Sequence, residues 1–513
     1  MRLWAAHAAD HGILRVARIF DPQTLDPATI QLQEDFILLP LLHLPLLDEV
    51  GGTKVIPCAA KSWRASSDKR IYTLDLRPEV RFSNGRPVVA ADYIFSIERV
   101  INPATAATMA AYLNGVRGAA EFAEGRVPHV SGLTAPDPLT LVIELERPDP
   151  TFPFLLTSNL AMAVPAEELA RQGKGFATHP VGNGPYMVKR WLRGARLELV
   201  RNPHYGGPEP QRLRGVDMMI GGDETTHLMM FEHGDLDIAN INGAGIPQPS
   251  MHRMRDDPQW APLIQSTPVP GTSYISLNTE IPPLDNVLVR RAINHAINRD
   301  KWMQVALGRF THAEGPLPPL VAGYDPQVKG YAYDPDRARQ LLQQSGVPMP
   351  LRLQLWHSTE ESTRFIVQGI QGDLKEIGIE VELRAATYGE LMTTAQIRGR
   401  VPMTLTAWYP SIPDPVDMLG TQFDGRSVTN VASMNIAFYN NPKVNRLFDE
   451  AAPEVDLPLR YARYREAERL ILADAPWVCL GHLNILGLPQ KWLKGPLVDP
   501  IYWYRLDRIW MER

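Results

Sequence analysis

At 513 residues, with 44% hydrophobic and 21% charged side chains, the chain has the make-up of an ordinary globular protein, which excludes disorder as its default state. A formal net charge of −5, with both signs interspersed, argues against a nucleic-acid binder, whose domain needs a basic face or stripe. Length sets a prior of roughly two to four domains, and 46 prolines, about 9% against a typical ~5%, favour fixed turns and extended connections over long helical bundles.

Taken in chain order, "ILRVARIFDPQTLDP" reads as a short strand that ends in two Asp-Pro turns. Ile71 to Leu76 is a strand, and Asn84-Gly85 after it is a tight-turn signal. "VAADYIFSIERVI" carries helical spacing, with Asp92 placed near its start to suit the helix dipole. "PDPLTLVIELERPDP" is a strand bounded by prolines, and "VGNGPYMVKRWLRGARLELVRNPHY" is a glycine-rich turn leading into a β-meander. "HLMMFEHGDLDIANI" reads as a helix stopped at Gly234, then a short strand. "LVRRAINHAINRDKWMQVAL" is the clearest single amphipathic helix, and "DPDRARQLLQQSGV" is a second with Gly346 as its stop. Between them "THAEGPLPPLVAGYDP" is a proline-rich loop. "PLRLQLWHS", a helix through Leu374, Gly378 and "IEVELRAAT" make a β-α-β unit, and the stretch from Glu454 gives a long helix and a strand. The class is α/β, with mixed sheets covered by helices in more than one lobe.

Catalytic and metal signatures are missing: no Walker loop, dinucleotide fingerprint, His-Glu-x-x-His or Gly-x-Ser-x-Gly occurs, so no catalytic residue, metal or cofactor is expected. His295 reads as a packed or surface residue, and Cys58 and Cys479, each in an apolar setting, as buried thiols. Phe36 to Leu47 is too short and too proline-broken for a membrane span of ~20 residues. The opening "MRLWAAHAADHGILR" does not read as a secretory signal, which leaves a trimmed chain, export by another route, or a cytoplasmic protein.

The stretch "LTAWYPSIPDPVDML" sets Trp408 and Tyr409 beside three prolines, ahead of Asp414 and Asp417. Asp414 fits a helix N-cap, with Pro415 at the first helical position and Asp417 at the third, close to a capping box. Large aromatics on a stiffened loop make pocket walls, although core packing accounts for them too.

Several stretches in order carry a resemblance: "LDPA" (Leu25 to Ala28), "PCAAKSW", "IYTLDLRPEVRFSNGRPVVAADYIFSIERV", "VGNGPY", "RNPHY", "HGDLDI", "VRRAINHAINRDKW", "GPLPPLVAGYDP" and "YDPDRARQLLQQSG". The chain from about Leu14 to Met511 resembles the family 5 solute-binding proteins of bacterial ABC importers, the dipeptide/oligopeptide-binding group. The resemblance implies a large class II periplasmic-binding-protein fold with two lobes and three domains. Residues 1–47, 181–268 and 485–513 would form domain I, 48–180 domain II and 269–484 domain III. Solute would bind between lobes that close by hinge motion, and the closed form would meet a membrane permease. The implied protein is a periplasmic or extracytoplasmic monomer that performs no chemistry and binds no nucleic acid.

In peptide-binding relatives the tryptophan matching Trp408 is followed three residues later by an aspartate that pairs with the peptide ammonium. Here that position is Ser411, and Met109 stands where relatives have a pocket tyrosine. Gln33, Asn240 and Tyr274, placed by counting from nearby motifs, complete the expected lining with Trp408, Tyr409, Ser411 and Met109. The expected ligand is a peptide, a modified or N-blocked peptide, an opine or a sugar-containing solute. Two rivals stand beside this reading: a signalling or interaction module of the same fold detached from transport, and a hydrolase using Asp414 and Asp417.

Overall fold

The structure, a computed structural model, describes residues 12–30, 32–107, 109–241, 245–359 and 361–512. The chain divides into two compact units, one of residues 1–267 with 485–513 and the other of residues 268–484.

The first unit holds two four-stranded sheets. In one, β1 (Ile13–Arg18) lies parallel to β8 (Gly215–Ile220), and β7 (Arg196–Arg201) and β6 (Tyr186–Leu192) continue it antiparallel. Its core gathers alternate residues of these strands, Leu14, Val16, Leu197, Leu199, Val216 and Met218, with Leu41, Leu42, Tyr504 and Leu506. The other sheet is antiparallel, in the order β2 (Ala60–Ala65), β3 (Ile71–Leu76), β5 (Thr140–Glu144), β4 (Leu133–Asp137). Helix α1 (Ala90–Ile101) opens as its sequence dictates, with the Asp92 carboxylate accepting the Val89 N–H at 2.9 Å. Gly85 adopts φ +88° in the turn after β3, which suits a residue without Cβ. A buried ion cluster ties the hairpin of Leu47–Val50 and Lys54–Pro57 to the C-terminal tail: Asp48 meets Arg505 at 3.0 Å and Arg508 at 2.6 Å. Burial alone would raise the Asp48 carboxyl, but the two guanidiniums hold it down at about 2.

The second unit is built on one six-stranded sheet, ordered β10 (Phe310–His312), β14 (Trp477–Gly487), β9 (Gln265–Leu277), β13 (Met403–Trp408), β11 (Leu351–Ser358), β12 (Ile379–Ala386). β11 runs parallel to both β12 and β13, and β9 is antiparallel to β13. One face carries Ile275, Leu277, Leu353, Leu355, Val381 and Leu405 beneath α2 (Val287–Ala296), α4 (Pro335–Ser345) and α5 (Glu361–Glu376). The other carries Tyr274, Trp477 and Cys479 beneath α6 (Tyr388–Ala395), α7 (Pro442–Ala451), α8 (Leu457–Asp474) and Met418, Leu419 and Phe423.

Two sequence expectations need correction. The single amphipathic helix from Leu288 is two helices, α2 and α3 (Arg299–Ala306). Asn298 breaks it, because its side chain accepts the Lys301 N–H (3.2 Å) as an N-cap while its own N–H donates to Asp373 (2.9 Å). The short strand expected after Gly234 is one bridge, Ile238 to Pro489, since Asp237 spends its carboxylate on the N–H and guanidinium of Arg15. Both cysteines are free and buried, and burial pushes the Cys479 thiol up to about 12. His295 is held by the Ala332 carbonyl and packs edge-on to Tyr331.

Glu468 on α8 gives a pH test of the second unit. Its Oε1 accepts the Leu317 N–H at 3.2 Å, its Oε2 has no partner among the described residues, and burial pushes its carboxyl up to about 7. The folded state therefore keeps a proton that the unfolded chain releases near its ordinary value of 4.5. Stability is full below that value, falls as pH rises towards 7, and levels off above it, by on the order of 3 kcal/mol. In Glu468→Gln, urea unfolding between pH 5 and 7 should lose this slope; an unchanged slope would assign it elsewhere.

Candidate functional site

Because β11, β12 and β13 run the same way, their carboxyl ends, Ser358, Ala386 and Trp408, lie on one edge of the sheet. In open α/β sheets that edge is where ligands bind. Trp408 is half-buried against the cluster of Tyr274, Met418 and Phe423, and its ring N–H is buried without a hydrogen-bond partner among the described residues. Thr272 of β9 lies opposite it in register, fully buried, donating to the Pro316 carbonyl at 2.9 Å and lying 3.0 Å from His482 Nδ1. Burial, with His312 nearby, pushes His482 down to about 3, so its ring is neutral at neutral pH and offers Nδ1–H to that hydroxyl.

Past Trp408 the chain turns. Tyr409 is 40% exposed and Ser411 is exposed, with its N–H donating to Asp417 Oδ2 at 2.6 Å. Asp417 also takes the Ile412 N–H at 3.3 Å and lies 3.4 Å from the Thr421 hydroxyl, so it closes the loop on itself. Asp414 accepts the Val416 N–H at 2.9 Å, the capping bond its sequence expects. It also makes a two-pronged pair with Arg460 of α8, at 2.5 and 2.8 Å, with both side chains essentially without solvent contact. The capping box is thus only half formed. Asp417 reaches back to the aromatic loop, not to the cap, and an arginine 46 residues away holds Asp414.

Of the seven residues expected to line a ligand site, Trp408, Tyr409 and Ser411 share this loop. Tyr274 lies inside the core: its ring stacks on Trp477 at 3.3 Å and its hydroxyl donates to Gln422 at 3.4 Å. It belongs to the packing that supports Trp408 and has almost no exposed surface. Gln33, Met109 and Asn240 lie on three separate segments of the first unit. Gln33 starts the short helix Gln33–Phe36, its side chain lying outside the described residues; Met109 is half-buried before the turn Ala110–Leu113; Asn240 is buried. Sequence reasoning missed Arg460, Thr272, His482 and Gly271. Only Gly271, a glycine inside a strand pattern, carried a local signal.

Comparison with known proteins adds independent findings. A family model described as bacterial extracellular solute-binding proteins, family 5 Middle, matches residues 54–430. The probable di/tripeptide-binding protein 5 of Pseudomonas aeruginosa (strain UCBPP-PA14) is 28% identical over 497 residues, covering 91% of this chain and 89% of that protein. Among solved structures, clavulanic acid biosynthesis oligopeptide binding protein 2 matches with a TM-score of 0.87 at 23% identity, over 98% of this chain and 96% of that one. The ABC transporter-associated periplasmic binding protein DppA from Helicobacter pylori, in complex with peptide STSA, matches at 0.80 and 25% identity, over 98% of each chain.

Proposed function

Because the chain belongs to the bacterial extracellular solute-binding proteins, family 5, we propose that it captures a small peptide-like solute outside the cytoplasm and passes it to the permease of an ABC importer. The names of its relatives support the peptide class: one is a probable di/tripeptide-binding protein, and another is an ABC transporter-associated periplasmic protein with a bound peptide. The residues proposed to meet the solute are Trp408, Tyr409 and Ser411; Gln33, Met109 and Asn240 remain the candidates of the first unit, and residues 48–180 and 269–484 are proposed as further domains.

The observation that carries the finer reading is the fate of the two acids beside Ser411. Asp414 is spent on Arg460, and Asp417 on the N–H groups of Ser411 and Ile412. Asp414 is neutralised by Arg460, both acids are almost without exposed surface, at 1% and 3%, and an ammonium desolvated without a counter-charge costs several kcal/mol. The solute is therefore a peptide or peptide-derived compound whose amino end is blocked or replaced, held by aromatic contact and neutral hydrogen bonds. Ser411→Asp tests this. It should tighten binding of tri-alanine at least ~10-fold, equivalent to about 1.4 kcal/mol, and weaken binding of N-acetyl-tri-alanine. A variant that binds both as the wild type does would remove Ser411 from solute recognition.

A further inference from the structure

We infer that Gly271 is a positioning residue for solute recognition, the residue whose missing side chain lets the Tyr409 ring lie against β9 at the end of β13. The inference rests on the reading that Tyr409 contacts the solute. In the β9–β13 register Thr272 faces Trp408, so the neighbouring Gly271 stands beside Tyr409, on the opposite side of the sheet from the tryptophan. A Cβ built on Gly271 would come 2.8 Å from Tyr409 Cδ1, 2.9 Å from its Cε1 and 2.9 Å from Leu483 Cδ1, closer than carbon atoms pack.

The backbone of Gly271 lies outside the left-handed region, so nothing in its dihedral angles calls for glycine; the requirement is space alone. A glycine inside a strand sacrifices packing and backbone order, and close approach by another group is the usual reason for one. Here the group is the ring of Tyr409, a residue 40% exposed, which lies with Leu483 against the open side of Gly271. A side chain at position 271 would drive the ring off that seat. β9 thus sets both aromatics at consecutive positions: Thr272, locked to Pro316 and His482, lies opposite Trp408, and Gly271 leaves room for Tyr409.

The test has two readouts. In protein labelled with 3-fluorotyrosine, the fluorine line of Tyr409 is identified by its loss in Tyr409→Phe. Gly271→Ala should move that line and leave the other tyrosine lines in place. Calorimetry with N-acetyl-tri-alanine should then show binding weakened about 10-fold in Gly271→Ala, and no further weakening when Gly271→Ala is added to Tyr409→Ala, the non-additivity expected of two residues acting as one. An unmoved fluorine line, or independent effects in the double variant, overturns the proposal. Should Gly271→Ala fold poorly, Gly271→Ala with Leu483→Ala removes the contact with Leu483 and keeps the clash with the ring, read in the same way. Wild-type protein that binds neither tri-alanine nor N-acetyl-tri-alanine overturns the solute reading instead, while the fluorine line still decides whether Gly271 seats the ring.

Discussion

Asp414→Ala should destabilise the second unit by about 3–5 kcal/mol, and Asp414→Asn by nearly as much. A plain N-cap would give a different result: alanine would cost roughly 0.5–2 kcal/mol and asparagine, an equally good cap, almost nothing. The difference lies in Arg460, which is 1% exposed, has its two terminal nitrogens on Asp414 and has its Nε buried without a partner among the described residues. The rings of Tyr464 and Tyr461, 5.1 and 5.9 Å from the guanidinium carbon, offer it cation–π contact but no compensating charge. Asparagine preserves the bond to Val416 and strands the guanidinium. For a unit of this size each kcal/mol moves Tm by roughly 2–4 °C, so a drop near 10 °C is expected in both variants. Adding Arg460→Met to Asp414→Asn should recover much of the loss, because it removes the stranded charge. An Asp414→Asn protein as stable as wild type would reduce Asp414 to a cap.

Trp408→Ala should weaken binding of N-acetyl-tri-alanine at least ~30-fold, the effect of losing an aromatic anchor worth about 2 kcal/mol or more. Trp408 also packs on the core cluster containing Tyr274 and Phe423, so some stability goes with it. Removing a wholly buried tryptophan costs about 3–5 kcal/mol, and a half-buried one about half of that. The two effects separate when affinity is measured well below Tm. Lost stability with unchanged affinity would make Trp408 a core residue and nothing more.

Much of the fold was legible because local signals and tertiary packing agree. The alternation in "PLRLQLWHS" and "IEVELRAAT", and the helix between them, gave the parallel pair β11–β12. Gly346 stands past α4 in the left-handed conformation, as a C-terminal stop should. The family expected from the ordered motifs is the family that matches residues 54–430. What sequence concealed depends on distant partners. Nothing near Asn298 reveals that Asp373 waits 75 residues on to take its N–H, so α2 and α3 read as one helix. Nothing near Asp414 announces Arg460, and a capping pattern looks the same whether its acid is solvated or locked in an ion pair. Tyr274 was counted into the site by spacing, but strand alternation turns it inward onto Trp477.

This family 5 protein is proposed to take a peptide-like solute without a free ammonium group, since Ser411 stands where the resemblance expects a carboxylate and both neighbouring acids are buried. Calorimetric titration of the wild-type protein with tri-alanine and N-acetyl-tri-alanine tests it most directly. Tighter binding of the acetylated peptide, by ~10-fold or more, is the predicted result. Tighter binding of the free-amine peptide would contradict it and place a counter-charge for the ammonium somewhere other than the Trp408–Asp417 loop.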